Sequence, residues 1–414
     1  MKRHLTTGIA GAVMGIILAL GATVSPALAT DGYFQVGFGI RQSGMGGAGV
    51  ADSTDAMAQT LNPAGIVGLG DQWQIGAAAF MPYRGYEATG AGFVARPGVE
   101  SDGNFFVMPN FAIVRQIDAQ SAWGISVYGN GGMNTTYPDV ANPACGGGSG
   151  IFCGGAAGVD LMQAFVSVDY ARQMGSLKIG IAPTMAVQRF MAKGLTGFGV
   201  PENGYDYSVG GGLRAGIEWE AMTGLRFGVS GQTKMYMTRF DKYSGLFAEQ
   251  GKFDIPAAVT AGVAFDATPD LTLTLDYQRI FYSGVPSIAN SSTLPPPFGA
   301  DNGPGFGWHD VNVFKIGAEW QANDIWTLRA GYAYSDNPIK STDVMLNILA
   351  PGVTQHHITA GASYKMSERN TVDFFTMYVP ETKVTGPDVM GGAGSQITLN
   401  MHQFLAGFGF TRNF

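Results

Sequence analysis

The sequence predicts an all-β protein: a closed 14-stranded antiparallel transmembrane β-barrel with an N-terminal hatch inside the lumen. Three observations support this. The 414 residues include only 13% charged residues but 62 Gly, whereas soluble domains have about 25% charged residues and about 7% Gly. Mean hydropathy is nevertheless near zero, at +0.09, and beyond the extreme N-terminus no segment reaches the ~18 apolar residues that a membrane-spanning helix needs. Segments of about 10 residues with alternating side-chain character, typical of barrel strands, follow instead.

The first 29 residues have the pattern of a secretory signal peptide. Lys2 and Arg3 precede an apolar stretch from Ile9 to Leu20, and Ala27-Leu28-Ala29 is a small-x-small cleavage site. The alternative, a transmembrane anchor, needs a longer apolar run. Removing Lys2 and Arg3 leaves 22 of the 24 basic residues against 31 acidic ones, a formal net charge of −9. This acidic balance argues against a nucleic-acid partner.

Residues 30–70 are predicted to form the hatch. The segment is rich in small residues, with Gly44 to Gly49 at its centre, a short helix predicted over Thr54 to Gln59 and a turn at Asn62-Pro63-Ala64. The spacing Gly44-x-Gly46-x-x-Gly49 also matches the dinucleotide fingerprint, but the preceding strand and the acidic residue of that unit are missing. A compact plug is therefore the favoured interpretation, and no cofactor is expected.

Residues 71–414 are predicted to form the barrel. Alternation is clear where Leu271, Leu273 and Leu275 face one way and Thr272 and Thr274 the other. Fourteen such strands are predicted to start near Gln72, Asn104, Ala122, Asp160, Leu177, Tyr205, Leu225, Asp254, Leu271, Val311, Trp326, Gln355, Asn370 and Ser395. Short and long connections alternate along the chain, the first long one running from about Tyr83 to Gly103. This pattern is typical of an outer-membrane barrel with long extracellular loops.

Two cysteines, Cys145 and Cys153, lie in the Gly-rich stretch from Pro143 to Gly158. An exported protein can keep a disulfide, so this pair is predicted to be bridged; two free thiols are the alternative. Since the pair has no His or acidic neighbours, no metal site is expected there.

Inward-facing positions carry both charged and apolar residues. The charged ones are Arg214, Glu218, Arg226, Lys234, Asp276, Lys315, Glu319, Arg329 and Asp373. They either line a water-filled porin or pair with one another and with the hatch; we favour pairing, because charges at low dielectric must be paired or solvated. The apolar ones, Phe106, Met108, Phe375 and Met377, suit an oily ligand or a plug better than a polar pore.

Several of these motifs together resemble the FadL/TodX family of outer-membrane transporters. They are the Gly44 to Gly49 segment, Asn62-Pro63-Ala64, the run Trp308-His309-Asp310, and Trp326 to Tyr332 followed by Asp336-Asn337-Pro338. The resemblance covers the chain from about Gly32 to Phe414. It implies a 14-stranded barrel closed by a hatch that carries long-chain fatty acids or other hydrophobic compounds without an energy source. Ligand would move from the extracellular loops to a site near the hatch and leave sideways through the wall.

The resemblance also suggests site residues. Tyr33, Phe34, Val36 and Phe38 would contact the ligand, Asn62-Pro63-Ala64 would fix the hatch, and a fatty-acid carboxylate would need a basic partner. The candidates for that partner are Lys234, Arg189 and Lys193. No clearly matched basic pair is present in the loops, so an aromatic or alkane cargo stays open. Pro109 and Gly129 to Gly132 mark weak strand pairing, where the wall could open.

The expected partners follow from this placement in a Gram-negative outer membrane. They are a hydrophobic small molecule, outer-membrane lipid and lipopolysaccharide, and the barrel assembly machinery. The last would recognise the C-terminal Phe414, which ends an alternating strand with Phe408 and Phe410.

An outer-membrane enzyme is the alternative from another class. Such an enzyme needs a nucleophile, a base and an orienting group. After processing the only histidines are His309, His356, His357 and His402, and no Gly-x-Ser-x-Gly motif is present. We therefore expect no catalytic residues.

Overall fold

The computed structural model describes residues 31–293 and 295–414, so the predicted signal peptide lies outside the described residues. Fourteen antiparallel strands form the barrel. They are β1 (Gln72–Thr89), β2 (Phe106–Asp118), β3 (Ser121–Asn134), β4 (Gly158–Met174), β5 (Leu177–Lys193), β6 (Asp206–Met222), β7 (Leu225–Gln232), β8 (Ala258–Thr268), β9 (Leu271–Ile280), β10 (Val311–Gln321), β11 (Trp326–Ser335), β12 (His356–Lys365), β13 (Asn370–Pro387) and β14 (Gln396–Asn413).

The barrel closes because the last strand pairs with the first. Each strand is bonded to its sequence neighbours, and β14 joins β1 over their full length, from Gln72 opposite Asn413 to Thr89 opposite Gln396. Closure removes the unpaired edges that lipid cannot satisfy. The predicted 14-stranded barrel is confirmed, and every predicted strand start lies within four residues of the observed one.

The connections alternate between short turns and long loops, as the sequence predicted. The long loops contain helices α2 (Ala248–Gly251) and α3 (Pro286–Ala289). They also contain two short strands (Gly98–Glu100 and Tyr236–Met237) and the 3₁₀ helices Pro143–Cys145, Thr196–Phe198, Asp241–Tyr243, Tyr282–Gly284, Ser341–Asp343 and Leu346–Ile348. Cys145 and Cys153 form a disulfide with an S–S distance of 2.02 Å. Among the described residues no helix has the length and apolar character to cross a membrane.

Two predicted boundaries are wrong. The sequence predicts that the first long loop begins near Tyr83, but β1 continues to Thr89. It also predicts that the last long loop begins near Pro380, but β13 runs to Pro387. Since β1 and β13 both stay paired with β14 there, the sheet continues beyond the predicted end of the wall. This correction places Arg84 in a strand.

The two faces of the wall differ in character. Outward positions such as Ile75, Val168, Leu275, Ile316 and Phe408 are large, apolar and about half exposed. Inward positions are buried against the hatch. An apolar outer face with a filled interior is the arrangement expected of a barrel in lipid.

The hatch fills the lumen with three short helices. These are α1 (Ile40–Gly44) and the 3₁₀ helices Ala56–Thr60 and Pro63–Ile66. The helix predicted over Thr54 to Gln59 starts two residues later, where the Asp55 side chain accepts the N–H of Ala58. The next turn is held by Asn62, whose Oδ1 accepts the N–H of Ala64 (3.0 Å) and whose Nδ2 donates to the carbonyl of Ile217 in β6 (2.9 Å). A Cβ on Gly216 would lie 2.1 Å from this Oδ1, so glycine is required for the contact.

Most inward charges of the barrel hold the hatch. Arg226 pairs with Asp52 (2.9 Å), Asp276 accepts the N–H of Gly49 (2.8 Å), and Lys315 donates to the carbonyl of Val36 (2.9 Å). From the hatch side, Arg41 pairs with Asp373 (3.0 Å) and lies 3.7 Å from Asp55. Within the barrel, Glu218 pairs with Lys178, Glu319 pairs with Arg329, and Arg214 donates to the hatch carbonyl of Thr60. The predicted pairing with one another and with the hatch is confirmed for these residues.

We expect Arg41→Met to lower the free energy of unfolding by about 3 kcal/mol, because it leaves the fully buried Asp373 carboxylate without its cation. Urea titration of the purified barrel in detergent measures this. The double variant Arg41→Met with Asp373→Asn removes both charges and should lose less than the two single losses combined. Wild-type stability in Arg41→Met would contradict the anchoring role.

Candidate functional site

The barrel wall has an opening between β2 and β3 at the long-loop end. The two strands pair from Asp118 opposite Ser121 up to Asn110 opposite Tyr128. Beyond that point, within the described residues, 106–109 pair with β1 and 129–134 with β4 instead of with each other. Proline has no N–H for a ladder and glycine weakens a strand. The weak pairing predicted at Pro109 and Gly129 to Gly132 is confirmed.

The start of the hatch covers this opening from the lumen side. The N–H of Gln35 donates to the carbonyl of Asn130 (3.1 Å), its Nε2 donates to the carbonyl of Gly129 (2.7 Å), and the N–H of Gly132 donates to the carbonyl of Tyr33 (3.2 Å). Residues 33–35 thus replace the missing strand partner. A Cβ on Gly131 would lie 1.7 Å from the Tyr33 carbonyl oxygen, so only glycine permits this approach.

A narrow crevice with an internal volume of about 20 Å³, room for about one water molecule, lies behind the opening. It separates the hatch from β1, β2, β3, β13 and β14. Its apolar side chains are those of Val36, Phe38, Ile40, Ala78, Phe80, Met108, Pro109, Phe375, Met377 and Leu405. The polar side chains in its lining, Gln35, Ser43 and Asn110, are uncharged. Five predicted ligand contacts, Val36, Phe38, Met108, Phe375 and Met377, therefore meet at one cavity.

The other predicted apolar residues lie beside the crevice. Phe106 packs against Phe80, with ring centroids 6.3 Å apart. Tyr33 and Phe34 belong to an aromatic cluster under the long loops, in which the Tyr33 ring lies 5.4 Å from Tyr282 and 5.9 Å from Trp308. The Tyr33 N–H donates to the Tyr282 hydroxyl (3.1 Å). This cluster fixes the segment that covers the opening.

A buried arginine that sequence reasoning missed lies above the crevice. Arg84 is only 2% exposed and follows Phe80 on the inward face of β1. Its Nε donates to the carbonyl of Asn134 (2.8 Å), its Nη1 donates to the carbonyl of Pro82 (3.0 Å), and its Cζ lies 5.8 Å from the centre of the Phe106 ring. Unlike Arg41, it makes no ion pair with any described residue. A buried charge without a counter-charge is costly, which marks Arg84 as a candidate for binding an anion.

The three predicted basic partners do not face the lumen. Arg189 and Lys193 share the outward parity of the exposed Met185 on β5, and Arg189 pairs with Asp160 (3.0 Å). Lys234 follows the end of β7, where the chain leaves the regular ladder. It lies over the exposed ring of Tyr236 and pairs with Asp254 (3.0 Å). The prediction of Lys234 as an inward residue is wrong, as is the expectation that Arg189 and Lys193 lie in the upper lumen.

A second apolar cavity, of about 20 Å³, lies among the long loops. Its walls include Phe190, Leu195, Phe247, Phe298 and Phe306. In the part of the chain that the structure describes, no group of three or more His, Cys, Asp or Glu side chains could hold a metal ion.

Comparison with known proteins identifies the family. The family model described as outer membrane protein transport protein (OMPP1/FadL/TodX) matches residues 157–414. The chain belongs to this family. No curated protein matches the sequence.

Solved structures of FadL/TodX proteins share the fold. The Pseudomonas putida toluene transporter TodX is 17% identical, with a TM-score of 0.66 over 92% of this chain and 99% of that one. A Pseudomonas aeruginosa FadL homologue is 14% identical, with a TM-score of 0.67 over 92% and 100%. The Ralstonia pickettii toluene transporter TbuX is 19% identical, with a TM-score of 0.63 over 92% and 99%. At these identities the likeness establishes the fold.

Membership of the FadL/TodX family places the protein in the Gram-negative outer membrane as a channel for hydrophobic compounds. The long-loop end is therefore extracellular. The crevice and the opening are the features of this barrel that suit such a compound.

We expect Gly131→Val to displace residues 33–35 from β3, because the new side chain occupies the space of the Tyr33 carbonyl. Conductance in planar bilayers should rise several-fold over wild type. Gly231→Val is the matched control, since a Cβ at that strand position lies 3.4 Å from its nearest neighbour. A folded Gly131→Val barrel with wild-type conductance would contradict the covering role of this segment.

Proposed function

We propose that the protein carries long-chain fatty acids passively across the outer membrane, binding them in the crevice and releasing them sideways between β2 and β3. The supporting observation is the position of Arg84 above an apolar crevice whose lining has no charged side chain. An arginine binds a carboxylate through charge-assisted hydrogen bonds. A fatty acid has both the anion that Arg84 would bind and the apolar chain that the crevice would bind once movement of the hatch widens it.

The spacing along β1 supports this pose. Phe80 lines the crevice, and Arg84 lies four residues further along the same face, about 13 Å away at the rise of a strand. Phe106 bridges the two, since its ring contacts both Phe80 and the Arg84 guanidinium. The alkyl chain would lie on Phe80, Met108 and the hatch, where each buried methylene contributes about 0.8 kcal/mol.

The route then has three stages. Ligand first enters the apolar cavity among the extracellular loops and next moves to the crevice. Displacement of residues 33–35 from β3 opens the wall, a population shift in an element held by few hydrogen bonds. Release into hydrocarbon instead of water needs no energy source, because partitioning favours the long chain at every stage.

An aromatic hydrocarbon is the second candidate cargo. The uncharged lining of the crevice accepts such a molecule without Arg84, and two structures of the same fold are titled toluene transporters. Toluene is therefore the second probe in the test.

We expect Arg84→Met to reduce uptake of oleate by cells about tenfold to a hundredfold, the effect of losing hydrogen bonds to a charged group, and to leave toluene uptake unchanged. Methionine keeps the bulk of the buried side chain. Arg279→Gln, which removes an outward-facing arginine from β9, is the control. Wild-type oleate uptake in Arg84→Met would exclude the carboxylate role of Arg84. Equal uptake of both probes with and without the protein would exclude transport of either.

Recognition of the C-terminus by the barrel assembly machinery stays a prediction. The Phe414 ring is about half exposed and the Arg115 guanidinium lies 4.0 Å from its centre, so the terminal aromatic is available on the folded barrel.

A further inference from the structure

A groove opens on the outer face of the wall at its extracellular edge, where β2 and β3 have separated. Its volume is about 330 Å³. Its walls come from the start of β2, the end of β3, the start of β4 and the end of β5, and include Asn104, Phe105, Asn134, Asp160, Lys193 and Tyr205. Phe105 is 60% exposed, so the groove faces outward and not into the lumen. We call it the rim groove.

Lys193 lines the rim groove together with Asp102 and Asp160, and Arg189 lies beside the groove, bonded to Asp160. Asp160 accepts hydrogen bonds from Asn134 Nδ2 (2.8 Å), Tyr205 Oη (2.7 Å) and Arg189 Nη2 (3.0 Å). Its carboxylate thus accepts three hydrogen bonds within the protein. Nη2 is the only Arg189 donor with a partner among the described residues, and the Lys193 ammonium makes no ion pair with any of them.

The level of the rim groove in the membrane follows from β5. Outward positions Ile181 and Met185 are apolar and exposed, as lipid contacts are. Arg189 and Lys193 follow on the same face, four and eight residues after Met185. The Arg189 guanidinium lies over the Tyr205 ring, 4.5 Å from its centre. Basic side chains with tyrosines above an apolar band are typical of the interface where lipid headgroups lie.

We propose that the rim groove binds one phosphorylated glycolipid of the outer leaflet, with a lipid A phosphate on Lys193 and Arg189 and its acyl chains on the apolar face of β5. Lys193 makes no ion pair with the described residues, and Arg189 has donors left beyond its bond to Asp160, so both can bind an anion. The outward position at the extracellular edge favours an outer-leaflet lipid over the transported compound. The bound lipid would cover the outer side of the separated strands. Because the rim groove lies on the outside of the barrel, lipid binding there does not depend on which compound the barrel transports.

Native mass spectrometry of the purified barrel with added bisphosphorylated lipid A tests the proposal. Wild type should retain one lipid A molecule. Lys193→Glu should reduce the retained fraction about tenfold, since charge near a lipid surface is worth about 1 kcal/mol per residue, and Arg189→Gln should weaken binding in the same direction. Lys383→Gln is the matched control, because this exposed lysine near the extracellular edge lies outside the rim groove.

Lys193 has no ion pair to lose, so Lys193→Glu should fold, and heat-modifiable mobility in electrophoresis verifies this. Lipid A retention by Lys193→Glu equal to wild type would overturn the proposal. So would equal retention of dephosphorylated lipid A, or of phosphatidylglycerol, which would show a general anionic or apolar contact. Oleate uptake is measured separately: lost uptake with intact lipid A binding would count against the proposed transport alone.

Discussion

Backbone hydrogen bonding in lipid is the constraint on which the rest of the structure depends. Each N–H and C=O of the wall must find a partner where no water can supply one. The barrel provides these partners by pairing β14 with β1. Between the upper parts of β2 and β3, however, the strand-to-strand hydrogen bonds are missing. There the chain supplies a substitute, since residues 33–35 bond to β3 where β2 does not. The need for backbone hydrogen-bond partners in lipid thus explains why the opening is covered by residues 33–35.

The mixture of charged and apolar side chains in the lumen follows from two separate tasks. Charged groups such as Arg226, Asp276 and Lys315 bind backbone or side chains of the hatch. Apolar groups gather on the side formed by β1, β2, β13 and β14, where the crevice lies. These charged groups are bound by the hatch and lie outside the crevice, so the crevice lining carries no charged side chain. Arg84 departs from this division, because carbonyl groups alone bind it.

Sequence patterns predicted the elements better than the site. Alternation with a period of two located all fourteen strands, because each residue type along them reports its face directly. Alternation does not locate strand ends. It places Arg84 in a loop, because the pairing of β1 beyond Tyr83 depends on β14 and on the short strand Gly98–Glu100. It places Lys234 on the wrong face, because the ladder ends at Gln232. Met108 and Phe375 were predicted as inward residues and Phe38 as a hatch residue, in two separate sets. Their meeting at one crevice depends on hatch packing, which no local pattern contains.

In the proposed route, residues 33–35 must move away from β3. A cysteine pair at Gln35 and Asn130, whose backbones are already hydrogen-bonded, would lock the cover in place when oxidised. Oleate uptake by cells with the locked protein should fall to the level of cells without it and recover on reduction, while wild type treated in the same way should not change. Uptake by the locked protein at the wild-type rate would contradict release through this opening.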